Sequence, residues 1–340
     1  MKHHFADLLD RADGHWAMTA NVERQVHHYP DVATAPATTR ALMMTGADAN
    51  WEAVTRLTQL EELTLESPRQ PQYECVAKLV TLRRLRVTHA RPASLAFVRT
   101  LVGLEEVVLE YVSGVDDLAP LAALPRLRAL HLENLRRVSD FGGLAGARHL
   151  RYLAIEGTLD WAQPIRDLTF VEAMPHLEVL RLGMVKVGAT FPALAPVARR
   201  PRLKKVMLSG GAFALEEYAF LQAMRPEVDG ATCKPYWIVP GGRVRVSPED
   251  IRATMPVAEF RALRGAVVNA RQERFMDEPE VTYFLGKGQR SAQGTSPAVL
   301  ARREAQAATY AALVASYRGT APSGKRGSGR PTRRRAPLRR

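Results

Sequence analysis

Cysteine is scarce in this chain. Only Cys75 and Cys233 occur among the 340 residues. Two cysteines are far too few for a disulfide framework, and the residues around neither thiol suggest a metal cluster. A small secreted protein held together by disulfides is therefore excluded, and a reducing compartment fits best.

Long apolar runs are absent as well. No stretch approaches 18 uninterrupted apolar residues, the length that indicates a membrane-spanning helix. The first residues, MKHHFADLLDRADGHW, contain no apolar core long enough for a signal peptide. We therefore expect a cytoplasmic bacterial protein without a membrane span.

Residue patterns that carry catalysis are also missing. The stretch GKGQRS at 286–291 lacks the Walker spacing of a phosphate-binding loop. Cys233 has no neighbouring acid or histidine that would activate a thiolate. The pairs His3-His4 and His27-His28 are adjacent residues, which on a strand point to opposite faces and cannot easily share one ion. We expect no enzyme activity, no metal site and no cofactor.

The positive charge of the chain is concentrated at one end. The net charge is +13, and residues 319–340 contain eight Lys and Arg residues and no acid, so the rest of the chain carries +5. This tail consists mostly of Pro, Gly, Ser and Arg and cannot bury enough apolar surface to fold. Arg333, Arg334 and Arg335 are its predicted anion-binding residues. Weak, non-specific binding of nucleic acid or another anionic surface is therefore an alternative function.

A repeated phrase organises the chain. It has the form Leu-x-x-Leu-x-Leu, with other apolar residues at some of these positions, and recurs every 22 to 27 residues. Its period-2 alternation predicts one short strand per repeat. Apolar residues spaced by three, such as Trp51, Val54 and Leu57, precede several phrases and predict 3₁₀ or turn-like return segments. The phrases begin at Leu60, Leu82, Leu104, Leu127, Leu150, Leu177 and Leu203.

This pattern resembles the leucine-rich repeat family. VDDLAPLAALPRLRALHL, residues 115–132, is the closest match to the short bacterial, internalin-like class, and the resemblance covers about residues 38–224. It implies an α/β solenoid with a parallel sheet on the concave face and 3₁₀ or short-helix returns. The asparagine that usually follows the strand in this family is largely replaced, for example by Ser67 or His89. Proteins of this family usually bind other proteins, so the resemblance implies a non-enzymatic protein–protein interaction module.

The repeat also predicts rows of side chains across the concave wall, because neighbouring strands lie about 4.8 Å apart. The first row begins Glu62, Arg84, Glu106, an alternation of charge that favours the register. The third row places three glutamates in neighbouring strands, a repulsion that stability alone does not explain. We interpret this row and its neighbours as a surface for a basic or mixed-charge protein, although exposed glutamates without a function are an equal alternative. The predicted partner-binding residues are Glu110, Glu133, Glu156, His131, Tyr152 and Arg181.

The repeat that begins at Leu150 is longer than the others. Its extra residues include Trp161, which is either an anchor for a partner on the rim of the arc or a cover for the groove between two repeats.

The remaining segments complete the predicted organisation. We expect an N-terminal cap at 1–36, the solenoid at 37–228, a small α+β unit at 235–318 and the tail at 319–340. In the α+β unit, KPYWIVPGGRVRV predicts a hairpin around residues 240–242. Ser296-Pro297 predicts the start of a helix that ends at Gly319. The least favoured hypothesis places an enzyme in this unit, with the repeats selecting its substrate.

Overall fold

The computed structural model describes residues 27–245 and 275–320. Nine parallel strands form one sheet, and each of the seven predicted phrases contributes a strand that begins two residues after the first Leu. The leucine-rich repeat solenoid implied by the resemblance is therefore confirmed. In spatial order the strands are β1 (His27–His28), β2 (Ala41–Thr45), β3 (Glu62–Glu66), β4 (Arg84–Thr88), β5 (Glu106–Glu110), β6 (Ala129–Glu133), β7 (Tyr152–Glu156), β9 (Val179–Gly183) and β11 (Lys205–Leu208).

The register of the sheet is the predicted one. The first strand positions align across seven strands as Glu62, Arg84, Glu106, Ala129, Tyr152, Val179 and Lys205. Strand β2 continues the same register one repeat before β3. Strand β1 is an addition that the repeat pattern did not predict. Residues 1–26, most of the predicted N-terminal cap, lie outside the described ranges.

The return segments are of two kinds. The spacing of three correctly predicted the 3₁₀ helices at Trp51–Arg56, Ala96–Thr100 and Thr169–Ala173, and a further one occurs at Gly142–Gly146. Three other returns are short α-helices: α1 (Gln70–Val76), α2 (Ala119–Ala122) and α3 (Ala195–Ala198). The same spacing at Val115–Leu124 also predicted a 3₁₀ or turn-like return, but the short α-helix α2 lies there. Each α-helical return has a proline in its first turn. Proline presets the helical φ angle at this position, where its missing N–H costs no hydrogen bond.

One continuous apolar core runs through the solenoid and into the C-terminal helix, as expected for stacked repeats that share their buried faces. Helix α4 (Leu215–Met224) follows the last strand. Helix α5 (Pro297–Thr320) packs against α4 and buries Tyr310 and Val314 in the same core. The hydroxyl of Tyr310 donates a hydrogen bond of 2.7 Å to Gln222 Oε1. None of the described helices combines the length and apolar character needed to cross a bilayer.

The predicted hairpin around residues 240–242 is wrong in its pairing. Strand β12 (Tyr236–Val239) pairs with β15 (Val281–Phe284), while β13 (Gly242–Arg245) pairs with β14 (Phe275–Glu278). Both pairs follow one antiparallel register, which is interrupted near Pro240 and Pro279. Proline lacks the N–H that a strand needs for pairing, so the two prolines account for the break. A short strand, β16 (Ala292–Gln293), completes the sheet of β12 and β15.

Candidate interaction surface

The first row of the concave wall contains the ion pairs that its alternating charges predict. Arg84 Nη1 lies 2.7 Å from Glu62 Oε1, and Arg84 Nε lies 3.5 Å from Glu106 Oε2. Both carboxylates are buried. These contacts join β3, β4 and β5 and stabilise their register, which is the structural role predicted for this row.

The acidic row, Glu110, Glu133 and Glu156, occupies neighbouring strands as predicted. Two of its members have an arginine partner from the adjacent second row. Arg86 Nη2 lies 2.5 Å from Glu110 Oε2, and Arg181 forms an ion pair with Glu156. The repulsion expected among the three glutamates is therefore largely offset, which the sequence analysis missed.

Two predicted partner-binding residues are buried rather than solvent-facing. His131 on β6 and Tyr152 on β7 are 1% and 0% exposed, although both project from the concave side of the sheet. Glu133, Glu156 and Arg181 remain partly exposed. The expectation that His131 and Tyr152 face solvent is therefore wrong. Strand alternation sets the face on which a side chain lies, but it does not say what else covers that face.

A possible cation position lies within the acidic row. Glu110, His131 and Glu133 each offer one ligand atom, and these atoms lie within 4.8 Å of one another. The guanidinium of Arg86 already donates two hydrogen bonds to Glu110 Oε2, at 2.8 and 2.5 Å. A metal ion would have to displace this guanidinium, so the chemistry of the cluster does not favour a metal centre.

A similar turn follows the C-terminal end of most strands, at one edge of the arc. In five repeats the residue directly after the strand has a φ angle near 50°, a left-handed conformation that asparagine adopts more readily than most residues. Only one of the five is asparagine. The others are Ser67, His89, Tyr111 and Met184. The turn geometry is thus retained without asparagine, and His89, Tyr111 and Met184 place larger side chains at this edge.

We define the rim surface as a group of aromatic, apolar and cationic side chains along this edge: His89, Tyr111, Arg136, Leu159, Trp161 and Met184. The rings of His89 and Tyr111 stack with their centroids 4.9 Å apart, and the guanidinium of Arg136 lies 5.2 Å from the ring centroid of Trp161. Tyr111, Leu159 and Met184 are 41%, 91% and 40% exposed. Aromatic residues, Met and Arg are the types that are enriched in protein-binding surfaces.

A second small sheet supports the loop that carries Trp161. Strand β8 (Gln163–Ile165) pairs in parallel with β10 (Val185–Val187), and the backbone N–H of Thr158 donates to the Trp161 carbonyl at 2.8 Å. The buried Gln163 accepts a hydrogen bond from the Leu135 N–H at 2.9 Å and donates one to the Val138 carbonyl at 2.7 Å. Trp161 is partly exposed, and its role as a partner anchor or as a cover for the groove between repeats stays a prediction.

The rim surface adjoins the acidic row. Burial raises the pKa of Tyr111, and the charges of Glu133 and Glu110, a hydrogen bond with Glu133 and the charge of Asp160 raise it further. The phenol is therefore a neutral hydrogen-bonding group at physiological pH. The rim surface and the acidic row together form an aromatic and apolar patch with a negatively charged border.

Of the rim surface, Trp161 was predicted from the sequence and the other members were not. For three of these other members, the sequence contains a signal in the residue that directly follows the strand. His89, Tyr111 and Met184 occupy the position after the strand, which the family usually fills with asparagine. The predicted anion-binding residues Arg333, Arg334 and Arg335 lie outside the described ranges, so tail-mediated anion binding stays a prediction.

The sheet topology makes this chain a leucine-rich repeat solenoid. No family model and no curated protein sequence matches the chain. Among solved structures, an internalin (inlF) from Listeria monocytogenes matches 52% of the chain at 20% identity with a TM-score of 0.39. An internalin C2 (inlC2) from the same species matches 49% of the chain and 69% of its own, at 22% identity with a TM-score of 0.37.

The TLR13–ssRNA13 complex matches 52% of the chain and 31% of its own, at 16% identity with a TM-score of 0.36. The chain spans about half of the first internalin, 56% of its length. At such low identity and TM-scores, the fold assignment depends on the parallel nine-stranded sheet of this chain itself.

Proposed function

We propose that this protein is a non-enzymatic interaction module that binds a protein partner at the rim surface and the adjoining acidic row. One observation carries the proposal: Tyr111, Leu159 and Met184 are exposed at one edge of a solenoid, where Tyr111 lies beside Glu133 and Glu110. Single exposed apolar residues are ordinary on protein surfaces. A contiguous aromatic and apolar group with a polar border is typical of a binding site.

The charges at this edge favour a partner with a basic group beside an apolar one. Glu133 is partly exposed and hydrogen-bonds with Tyr111. Among the described residues its ion-pairing neighbour is His131, whose Nε2 lies 3.6 Å from Glu133 Oε2. Glu110 and Glu156 already have arginine partners. A lysine or arginine of the partner would therefore be drawn to Glu133, while its apolar residues would contact Tyr111 and Leu159.

Two features support the absence of enzyme chemistry in the part of the chain that follows the last repeat. Burial raises the pKa of Cys233 to about 11, so its thiol is protonated at neutral pH and a poor nucleophile. In the stretch 286–291, the N–H groups of Gly286 and Lys287 donate to the carbonyls of Gly210 and Phe213, at 2.8 and 2.6 Å. A phosphate-binding loop needs such N–H groups for its ligand.

Site-specific photo-cross-linking in the native cell tests the proposal. The photoreactive amino acid p-azidophenylalanine would replace Tyr111 in the full chain, and Val102 in a matched control. Val102 is 52% exposed and lies in the turn before β5, at the opposite edge of the sheet. We expect a discrete protein adduct from position 111 and none from position 102. Identical adduct patterns from the two positions, or no adduct from position 111, would contradict the proposal.

The cross-linked partner, once identified and purified, allows a second test by titration calorimetry. Tyr111→Ala should weaken its binding by about tenfold or more, as expected for an interface hot spot. Glu133→Gln should weaken binding less at high salt than at low salt, because an exposed charge is screened. Val102→Ala should leave the affinity unchanged. Equal affinities for all three variants would show that the rim surface is not the binding site.

A further inference from the structure

The edge at which the parallel strands begin, opposite the rim surface, carries a row of basic side chains. In the last four repeated phrases, the residue directly before the first Leu is an arginine or a histidine, and it lies in the turn that leads into the strand. The first three phrases have Gln59, Thr81 and Gly103 at this position. Their strands, β6, β7, β9 and β11, are neighbours in the sheet, so the row spans three spacings of about 4.8 Å, or about 14 Å. We call these residues the basic row: Arg126, His149, His176 and Arg202.

The carboxylates next to the basic row are outnumbered by cations. The Glu105 carboxylate lies 2.7 Å from Arg83 Nη2 and 2.8 Å from Arg128 Nη2, so two guanidinium groups share it. Glu178 is shared in the same way by an arginine and a lysine. Four cations with two carboxylates leave a net charge of +2 directly beside the basic row.

The basic row itself contains charge that no carboxylate compensates. Arg126 is exposed and has no ion-pair or hydrogen-bond partner among the described residues. Arg202 Nη1 lies 2.8 Å from His176 Nδ1. Because a guanidinium can only donate, this nitrogen accepts, and the His176 ring is neutral in this contact. The two acids that follow the last strand, Glu227 and Asp229, already have cationic partners.

The shape of this edge suits an extended ligand with flat groups. The rings of His149 and His176 are nearly parallel, with 7° between their planes and 6.5 Å between their centroids. His149 is exposed and His176 is half-buried, so aromatic faces lie between the two arginines of the row. An open groove beside them is lined by Arg83, Glu105, Pro125, Arg126, Arg128 and His149.

We propose that the basic row and this groove bind a single-stranded nucleic acid. Guanidinium groups such as those of Arg126 and Arg202 match the geometry of phosphate and can donate two hydrogen bonds to it at once. The imidazole rings of His149 and His176 offer stacking surfaces to unpaired bases. At about 3.4 Å per nucleotide of a stacked strand, the row would contact about four nucleotides.

Two other polyanions fit these features less well. A duplex stacks its bases on one another, so their faces are not available to the two imidazole rings. An acidic protein segment would use the guanidinium groups but has no planar bases for these rings. Because the basic row and the rim surface lie at opposite edges of the sheet, both can be occupied at once, and each proposal can fail without the other.

Fluorescence anisotropy with a labelled oligothymidylate of about 12 nucleotides tests the phosphate contacts. The full chain would carry Gln in place of the eight Lys and Arg residues of 319–340, so that this segment does not contribute. In this background, Arg126→Gln with Arg202→Gln should weaken binding about tenfold. The slope of log affinity against log salt should fall by about 1.4, since each contact with a single strand contributes about 0.7.

A matched control is Arg56→Gln with Arg99→Gln, which changes two exposed arginines of the 3₁₀ returns. This control should leave both the affinity and the salt slope unchanged. Equal affinities for the two double variants would overturn the inference. So would the absence of oligothymidylate binding in the background itself.

A second pair of substitutions tests base stacking. His149→Ala with His176→Ala should weaken oligothymidylate binding by about tenfold, while the affinity for inorganic polyphosphate, which has no bases, should stay within about twofold. Equal losses for the two ligands, or no loss for either, would overturn the assignment to nucleic acid and leave a general polyanion surface. Tighter binding of polyglutamate than of oligothymidylate would assign the surface to an acidic protein and also overturn it.

Photo-cross-linking locates the nucleic acid on the natural full chain, without any substitution. An oligouridylate that contains thiouridine would be irradiated in the complex, and the cross-linked peptides would be identified by mass spectrometry. We expect peptides that contain His149 or His176. Cross-links confined to residues 319–340, or to the rim surface, would overturn the inference.

Discussion

His89 and Tyr111 stack across two neighbouring repeats, with their ring planes 10° apart and their centroids separated by 4.9 Å. Each follows a strand of the sheet in the left-handed conformation. We expect a double-mutant cycle of His89→Ala and Tyr111→Ala to give a coupling energy of about 0.5–1.5 kcal/mol, measured by urea unfolding. The cycle of His89→Ala with Val102→Ala should be additive to within about 0.5 kcal/mol. A coupling of zero for the first pair would mean that the stack does not form in solution.

A substitution at Gly157 tests the close backbone packing of the loop that carries Trp161. A Cβ atom at this position would lie 2.3 Å from the Met184 carbonyl oxygen and 2.4 Å from the Trp161 carbonyl oxygen. Because both obstacles are backbone atoms, Gly157→Ala should lower the free energy of unfolding by about 2 kcal/mol or more. A Cβ at Gly211 would meet nothing within 4 Å, so Gly211→Ala should stay within about 0.5 kcal/mol of the wild type. Equal melting temperatures for the two variants would refute the close approach at Gly157.

Two buried tyrosines should respond with opposite signs to the same change. Tyr73 is buried, its hydroxyl has no hydrogen-bond partner among the described residues, and burial raises its pKa. Tyr73→Phe should therefore raise the free energy of unfolding by about 1 kcal/mol, because it removes an unsatisfied polar group. The hydroxyl of Tyr218 donates to the Ser209 carbonyl and accepts from the Phe213 N–H. Tyr218→Phe should lower the free energy of unfolding by about 1 kcal/mol. Changes of the same sign in chemical denaturation would contradict this pair of predictions.

Glu178 should make the stability depend on pH. The hydrogen bond from Arg151, with help from Lys204, lowers the pKa of Glu178 to about 2 from an ordinary value of 4.5. The folded state thus favours the ionised carboxylate of Glu178 more strongly than the unfolded state does. Its contribution is present above pH 4.5 and is lost as the pH falls towards 2.

The measurement for Glu178 is the free energy of unfolding between pH 7 and pH 2, for the wild type and for Glu178→Gln. Arg151 is partly exposed and Lys204 is largely exposed, so screening should limit the difference to about 1 kcal/mol at pH 7. The difference should disappear near pH 2 and shrink in 1 M salt, where the Debye length is about 3 Å. A difference that persists at pH 2 would show that Glu178 acts through packing instead.

The strands could be predicted from the sequence because each is encoded within six residues. The phrases at Leu60 and Leu203 each predicted a strand and its face, and the repeat period predicted that the strands align. The hairpin at 240–242 failed for the opposite reason. Turn residues were visible locally, but β12 pairs with residues more than 40 positions away. In the sequence, a proline that interrupts one long antiparallel strand pair cannot be distinguished from a proline that ends a strand.

The sequence by itself determined the solenoid, its register and the faces of its strands. An alternation of apolar residues selects the buried face of a strand locally, and the same alternation occurs in every repeat. Only the tertiary structure decided that Tyr152 and His131 are buried and that Tyr111, Trp161 and Met184 share one edge. Exposure depends on which distant segments cover a face. Side chains from successive repeats become neighbours only when the repeats stack, so the pattern within one repeat cannot encode either property.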